Sequence, residues 1–151
     1  MTTHLFETEQ WLPVTREKVF PFFADARNLE LITPPWLNFT VLTPGEIKMA
    51  PGTLIDYQLR IHGIPVRWRT EIATWEPPLR FTDQQLLGPY RRWHHTHTFT
   101  ERDGGTLCHD RVEYSVPGGA LVNWLFVRHD VKKIFNYRAV ALAKHFGVSP
   151  V

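Results

Sequence analysis

Four side chains in the middle of this sequence are of types that move protons or hold ions, and their spacing lets them meet. His95 and His97 stand two apart in a run, 91–100, whose period of two reads as a β-strand. Their imidazoles therefore project from one side, about 6.6–6.8 Å apart along the strand. Asp83 shares a face with Phe81 and Gln85 in the segment 81–87, and Asp110 shares one with Cys108, Val112 and Tyr114 in 107–116. Turning the apolar parities inward brings Tyr57, Thr70, Asp83, Gln85, His95, His97, Asp110 and Tyr114 to one concave surface. A buried polar group without a partner costs roughly 1–3 kcal/mol, so a set of this size needs an account. One account is mutual satisfaction, with His95 or His97 bonded to Asp83, Asp110 or water. A second is that a few of these groups orient the polar end of an otherwise apolar ligand. A third is acid–base catalysis, with a His–Asp pair as base and orienter and Tyr114 or Tyr57 as donor.

Other chemistry is weaker. His95 and His97 are spaced to reach one ion, with Asp83 or Asp110 as a third ligand, but His94 points the other way and the run is short. The expectation is no metal and no cofactor. Cys108 is the one cysteine, and nothing near it marks an activated nucleophile; it reads as a small buried hydrophobe. Arg67 and Arg69 lie on the outward parity beside Glu71, while Arg91 and Arg92 face opposite ways. That pattern is a solvated exterior, and a net charge of +2 does not imply a nucleic-acid partner.

The elements that must position these residues follow from periodicity and punctuation. Residues 5–12 read as a strand, stopped by Pro13, and Thr15 is placed to cap a helix over 16–25 whose Pro21 should kink or split it. A second short helix is expected over 27–32. Short alternating segments then succeed one another at 39–42, 53–61, 66–72, 81–87, 91–100 and 107–116. Between them stand His62-Gly63, Gly88-Pro89 and Asp103-Gly104-Gly105, which are turn signals. After Pro117-Gly118-Gly119, residues 120–146 read as one helix with Leu121, Leu125, Val131, Ile134, Phe135, Arg138 and Leu142 along a broad stripe. Such a helix is about 40 Å long at 1.5 Å per residue, enough to cross a whole sheet. Strands joined by tight turns form an antiparallel meander, and only this helix can cover it.

The fold class is therefore α+β: a curved antiparallel sheet of about six or seven strands around a long C-terminal helix, with two short helices after the first strand. At 151 residues one domain, 1–151, is expected, large enough to bury a sizeable core. The 13% aromatic content exceeds what packing requires and suits the walls of a ligand cavity. No apolar run is long enough to span a bilayer. The absence of a visible signal peptide and the lone cysteine lead to an expectation of a cytoplasmic protein without stable membrane insertion. The residues specify no oligomeric state.

The order of elements, together with Trp75-Glu76-Pro77-Pro78, the strand 93–99, the hairpin Asp103-Gly104-Gly105-Thr106 and the segment 114–118, resembles the SRPBCC superfamily. That superfamily includes START lipid-transfer domains, birch-pollen-allergen-like proteins and polyketide cyclase/dehydrase-like proteins. The likeness covers nearly the whole chain and is greatest to the bacterial stand-alone, cyclase-like branch. It implies a helix-grip fold with a deep cavity and transfers no catalytic motif, since members carry lipids, bind quinones, hormones or sterols, cyclise polyketides or assist chaperones. The leading expectation is a binding or carrier protein for a small hydrophobic molecule. Its ligand-binding residues would be Tyr57, Leu59, Trp68, Thr70, Asp83, Gln85, Trp93, His95, His97, Asp110, Tyr114 and Phe135. The alternative is a cyclase- or dehydratase-type enzyme using His95, His97, Asp83 and Asp110 on a polyketide-like or aromatic substrate. A third is an interaction module presenting its outer sheet to a protein partner.

Overall fold

The computed structural model describes residues 2–148; residue 1 and residues 149–151 of the expected unit lie outside the described ones. Seven strands run β1 (His4–Leu12), β2 (Thr40–Val41), β3 (Leu54–Ile61), β4 (Ile64–Glu76), β5 (Arg80–Leu87), β6 (Arg92–Arg102) and β7 (Gly105–Ser115). They form one antiparallel curved sheet in the order β1-β7-β6-β5-β4-β3-β2. The meander from β3 to β7 follows from short turns. His62-Gly63 and Asp103-Gly104 each have two positive φ angles, +50° and +81°, then +49° and +77°. This is the backbone of a two-residue turn whose twist matches the flanking strands. β1 closes the order by pairing with β7, from His4 opposite Tyr114 to Leu12 opposite Thr106.

Alternation decides which face is dry. Ile55, Tyr57 and Leu59 of β3 are buried, as are His95, His97 and Phe99 of β6 and Cys108, Val112 and Tyr114 of β7. That face is covered by the C-terminal helix, which comprises α3 (Gly119–Val122), a π-helical stretch (Asn123–Val127) and α4 (Arg128–His145). Two short helices follow β1: α1 (Arg16–Ala24) and α2 (Leu29–Ile32).

Two expectations are corrected here. Of the two outcomes expected of Pro21, splitting is excluded: α1 runs unbroken from Arg16 to Ala24. Its missing N–H deprives only the Glu17 carbonyl, on the exposed side, while Val19, Phe20, Phe22 and Phe23 anchor the helix from the other. The long apolar stripe also fails at its start. Leu121 and Leu125 are exposed, while Val131, Phe135 and Leu142 are buried. A π turn takes more residues than an α turn, so the stretch Asn123–Val127 shifts the phase of the stripe.

Apolar packing forms three clusters, one against β2, β3 and β4 (Ala26, Val41, Ile55, Tyr57, Leu59 and Ile72) and two at the ends of the sheet–helix interface. At one end Phe20, Phe23, Phe81, Phe99 and Leu142 pack together; at the other Tyr114, Val116, Val131 and Phe135 do. The polar residues of β5, β6 and β7 lie between them, facing the middle of α4.

Candidate functional site

Asp83, His95, His97 and Asp110 come from adjacent strands in register. Asp83 is paired with His95 across β5 and β6, and His97 with Asp110 across β6 and β7. The two imidazoles stack at 3.6 Å between centroids, and Phe81 stacks on the far side of His97 at 4.1 Å. His95 Nε2–H donates to Asp110 Oδ1 at 2.7 Å, and His97 Nε2–H donates to Asp83 Oδ2 at 2.6 Å. His97 Nδ1 lies 3.4 Å from Asp110 Oδ1. His95 Nδ1 has its nearest carboxylate oxygen, Asp83 Oδ2, 3.9 Å away, beyond hydrogen-bond reach.

A fifth member comes from α4. Arg138 Nη2 lies 3.5 Å from Asp110 Oδ1 and 3.4 Å from His97 Nδ1. Its guanidinium also sits over the rings of Phe23 and Phe135, at 5.3 and 5.6 Å. Arg138 was legible only as a member of the helical stripe, and its charge at an inward position was the signal that could have marked it.

Charge balance sets the protonation of this cluster. Burial disfavours every ion in it, yet hydrogen bonds and opposite charges hold Asp83 below the usual carboxylate range and Asp110 well below it. Two carboxylates and one guanidinium leave one negative charge, which a single imidazolium neutralises. Burial would lower His97, but Asp110 and Asp83 outweigh it and its pKa is raised. For His95 burial and the neighbouring His97 charge prevail, and its pKa falls to about 4. The cluster thus favours the charged form of His97 and the neutral form of His95. Pairs of groups whose environments push their pKa values apart are the raw material of acid–base chemistry.

Beside this cluster lies a cavity of about 190 Å³ between the sheet and the helices. Tyr57, Leu59, Trp68, Thr70, Asp83, Trp93, His95, His97 and Phe135 line it, as do Arg138, Tyr90, Phe23 and Ile32. Asp110 sits behind the histidines and does not line it. Gln85 does not either: its amide clamps the β5–β6 loop, donating to the Tyr90 carbonyl at 2.7 Å and accepting the Tyr90 N–H at 3.1 Å. Tyr114 is likewise turned away, its hydroxyl donating to Asn123 Oδ1 at 2.7 Å and tying β7 to the π stretch. The Tyr57 phenol is pushed up by burial and by the Asp83 charge, so it is a neutral donor.

Asp83, His95 and His97 also offer three ligand atoms within 4.8 Å of one another. Two of these residues are joined by the 2.6 Å hydrogen bond, which leaves no room for an ion between them. Arg138 adds a cation alongside. The donor set is arranged as an ion-pair network and would have to open to chelate.

Three proteins of known structure share the architecture. An aromatase/cyclase from Streptomyces sp. R1128 superposes with a TM-score of 0.76 at 12% identity, covering 97% of this chain and 94% of its own. Ara h 8.0201 gives 0.72 at 18%, covering 96% and 98%. Protein Ms6760 from Mycobacterium smegmatis gives 0.71 at 19%, covering 95% and 90%. At such identities the likeness is one of fold. No curated protein sequence matches the chain significantly. The family model for polyketide cyclase / dehydrase and lipid transport matches residues 12–134. The chain belongs to that family, within the SRPBCC helix-grip superfamily.

Proposed function

We propose that this protein, as one domain over 1–151, binds a small, largely apolar molecule between its sheet and α4. The polar end of the ligand would rest on Asp83, His95, His97 and Arg138. The observation that carries this reading is a void walled by aromatic and aliphatic side chains with one polar patch. Its volume of about 190 Å³ also suggests a size. An apolar cavity of about 150 Å³ accepts benzene, so a one- or two-ring occupant is favoured over an extended polyketide chain. Trp68 and Trp93 line the cavity and provide the assay. Titration with 2-naphthol should give saturable, one-to-one quenching of tryptophan fluorescence. Ile134→Phe, which narrows the cavity, should abolish it. Absence of saturable quenching, with no organic mass retained in native mass spectrometry of fresh protein, would refute the reading.

A second reading, a cyclase- or dehydratase-type enzyme, is favoured by one particular atom. His95 is neutral near pH 7, and its Nδ1 lies outside hydrogen-bond reach of Asp83, leaving a proton-accepting nitrogen on a residue that lines the cavity. The two readings separate on His95→Gln. A binding protein loses part of its affinity, whereas an enzyme keeps binding and loses turnover by orders of magnitude.

A further inference from the structure

In an antiparallel meander the ends of β3, β5 and β7 fall at the same end of the sheet. The β3–β4 hairpin, the β5–β6 loop and the α3–π segment are therefore neighbours there. This end is unusually apolar. Ile64, Leu86, Leu87, Leu121, Trp124 and Phe126 are each more than half exposed, and they are six of the eight large apolar side chains so exposed among the described residues. Scattered exposed leucines need no explanation, but a cluster of this kind marks a contact surface.

Shape and charge identify the contact. Trp124, Leu125 and Phe126 are consecutive and all exposed. In a π turn, which takes more residues than an α turn, successive side chains step by somewhat less than the roughly 100° of an α-helix, and these three still sweep well over a third of the circumference. A protein groove takes one stripe of a helix, at spacings of three and four. A tip that is apolar through so wide an arc suits immersion in the interfacial layer of a bilayer, where Trp is also favoured. Around it stand exposed cations. Arg128 lies over the Trp124 ring at 5.2 Å, Arg91 follows the β5–β6 loop, and Lys132 and Lys133 come one turn further along α4. None of these four is ion-paired among the described residues. The nearby carboxylates are engaged, Asp130 by His62 at 2.9 Å and Glu113 by Arg92 at 3.1 Å.

We propose that this end docks reversibly on an anionic lipid surface, the tip Trp124-Leu125-Phe126 entering the headgroup layer and the cations meeting lipid phosphates. The docking is peripheral, since no helix among the described residues is long and apolar enough to cross a membrane. A hollow lined by His62, Asp130 and Lys133 opens at this end and shares Ile61, Tyr90 and Ile134 with the inner cavity.

The test is flotation of the full chain with vesicles of phosphatidylcholine alone and of phosphatidylcholine with phosphatidylglycerol, at low and high salt. Binding to the mixed vesicles, weakened by salt and accompanied by a blue shift of emission that Trp124→Phe removes, is the expected result. Replacing Trp124, Leu125 and Phe126 together by Ser should weaken binding at least about tenfold with an unchanged melting curve. Lys132→Glu with Lys133→Glu should weaken it about thirtyfold or more, and serves even if the first variant folds poorly. Failure to float with phosphatidylglycerol vesicles overturns the proposal, as does full binding by either folded variant. So does self-association of the chain that the tip variant dissolves while vesicles stay unbound, since a second copy would then be the occupant.

Discussion

Replacing Asp110 by Asn tests the charge arithmetic of the buried cluster directly. With two carboxylates, one guanidinium and one imidazolium, the cluster is neutral; removing one carboxylate makes it neutral without any imidazolium. His97 Nδ1 stands 3.4 Å from Asp110 Oδ1. At an effective dielectric constant of 20 this attraction amounts to about 5 kcal/mol. By the same arithmetic Asp83 at 2.6 Å on the other nitrogen supplies about 6 kcal/mol; once Asp110 is gone it alone must offset both the burial of the ring and the Arg138 charge, and the His97 pKa falls. Asn keeps the shape and can still accept from His95 Nε2–H, so the change is nearly one of charge alone. The assay is long-range proton–nitrogen NMR of the imidazoles near pH 7. The native protein should show one imidazolium and one neutral ring in this cluster, and Asp110→Asn two neutral rings. An imidazolium persisting in the variant, or two neutral rings in the native protein, would refute the reasoning.

Further expectations concern acid, volume and thiol chemistry. His95 has a folded pKa of about 4 against an ordinary 6.5, so the unfolded chain binds its proton first and stability falls as pH drops through that window, by up to about 3 kcal/mol. His97 is shifted the other way: its contribution is complete below 6.5 and is lost as pH rises through its folded value, so it adds no slope in the window. The carboxylates act lower, their contribution being present above 3.8 and lost as pH falls further. Urea unfolding at several pH values between 4 and 6.5 should therefore show a slope that His95→Gln flattens; an equal slope in the variant contradicts it. Phe135→Ala empties a buried wall position and should cost about 3–5 kcal/mol while admitting ligands bulkier than 2-naphthol, as calorimetry would show. Cys108 is buried, and burial together with the Asp110 charge pushes its thiol up to about 12. It should resist Ellman's reagent in the native state and react on unfolding; rapid native reaction would contradict this.

Much of this architecture was readable from alternation and punctuation. His62-Gly63 and Asp103-Gly104 are two-residue turns because those residues tolerate positive φ, and the turns fix the strand parity that turns His95 and His97 inward. What escaped the sequence reading was long-range or depended on phase. Arg138 carries the same helical spacing as Ile134 and Phe135, and nothing local says that its partners lie in β6 and β7. Leu121 and Leu125 continue the apolar stripe on paper, but the π stretch rotates them into solvent. Gln85 and Tyr114 have inward parity, yet the β5–β6 loop and Asn123 capture their polar atoms before the cavity does. Parity assigns a face of a sheet and cannot say which atom on that face a side chain will meet.

The pairing of β1 with β7 has a consequence for how the chain reaches this structure. The first strand finds its partner only about a hundred residues later, so closing the sheet means closing a very long loop. The hairpins between β3 and β7 can form from neighbours as they leave the ribosome, while β1 must wait with its hydrogen-bonding edge open. Until then β7 is itself an uncovered edge, the face that intermolecular strand addition would exploit. A lesion in β1 should therefore lead to aggregation through the uncovered edge of β7 rather than to a milder loss of stability.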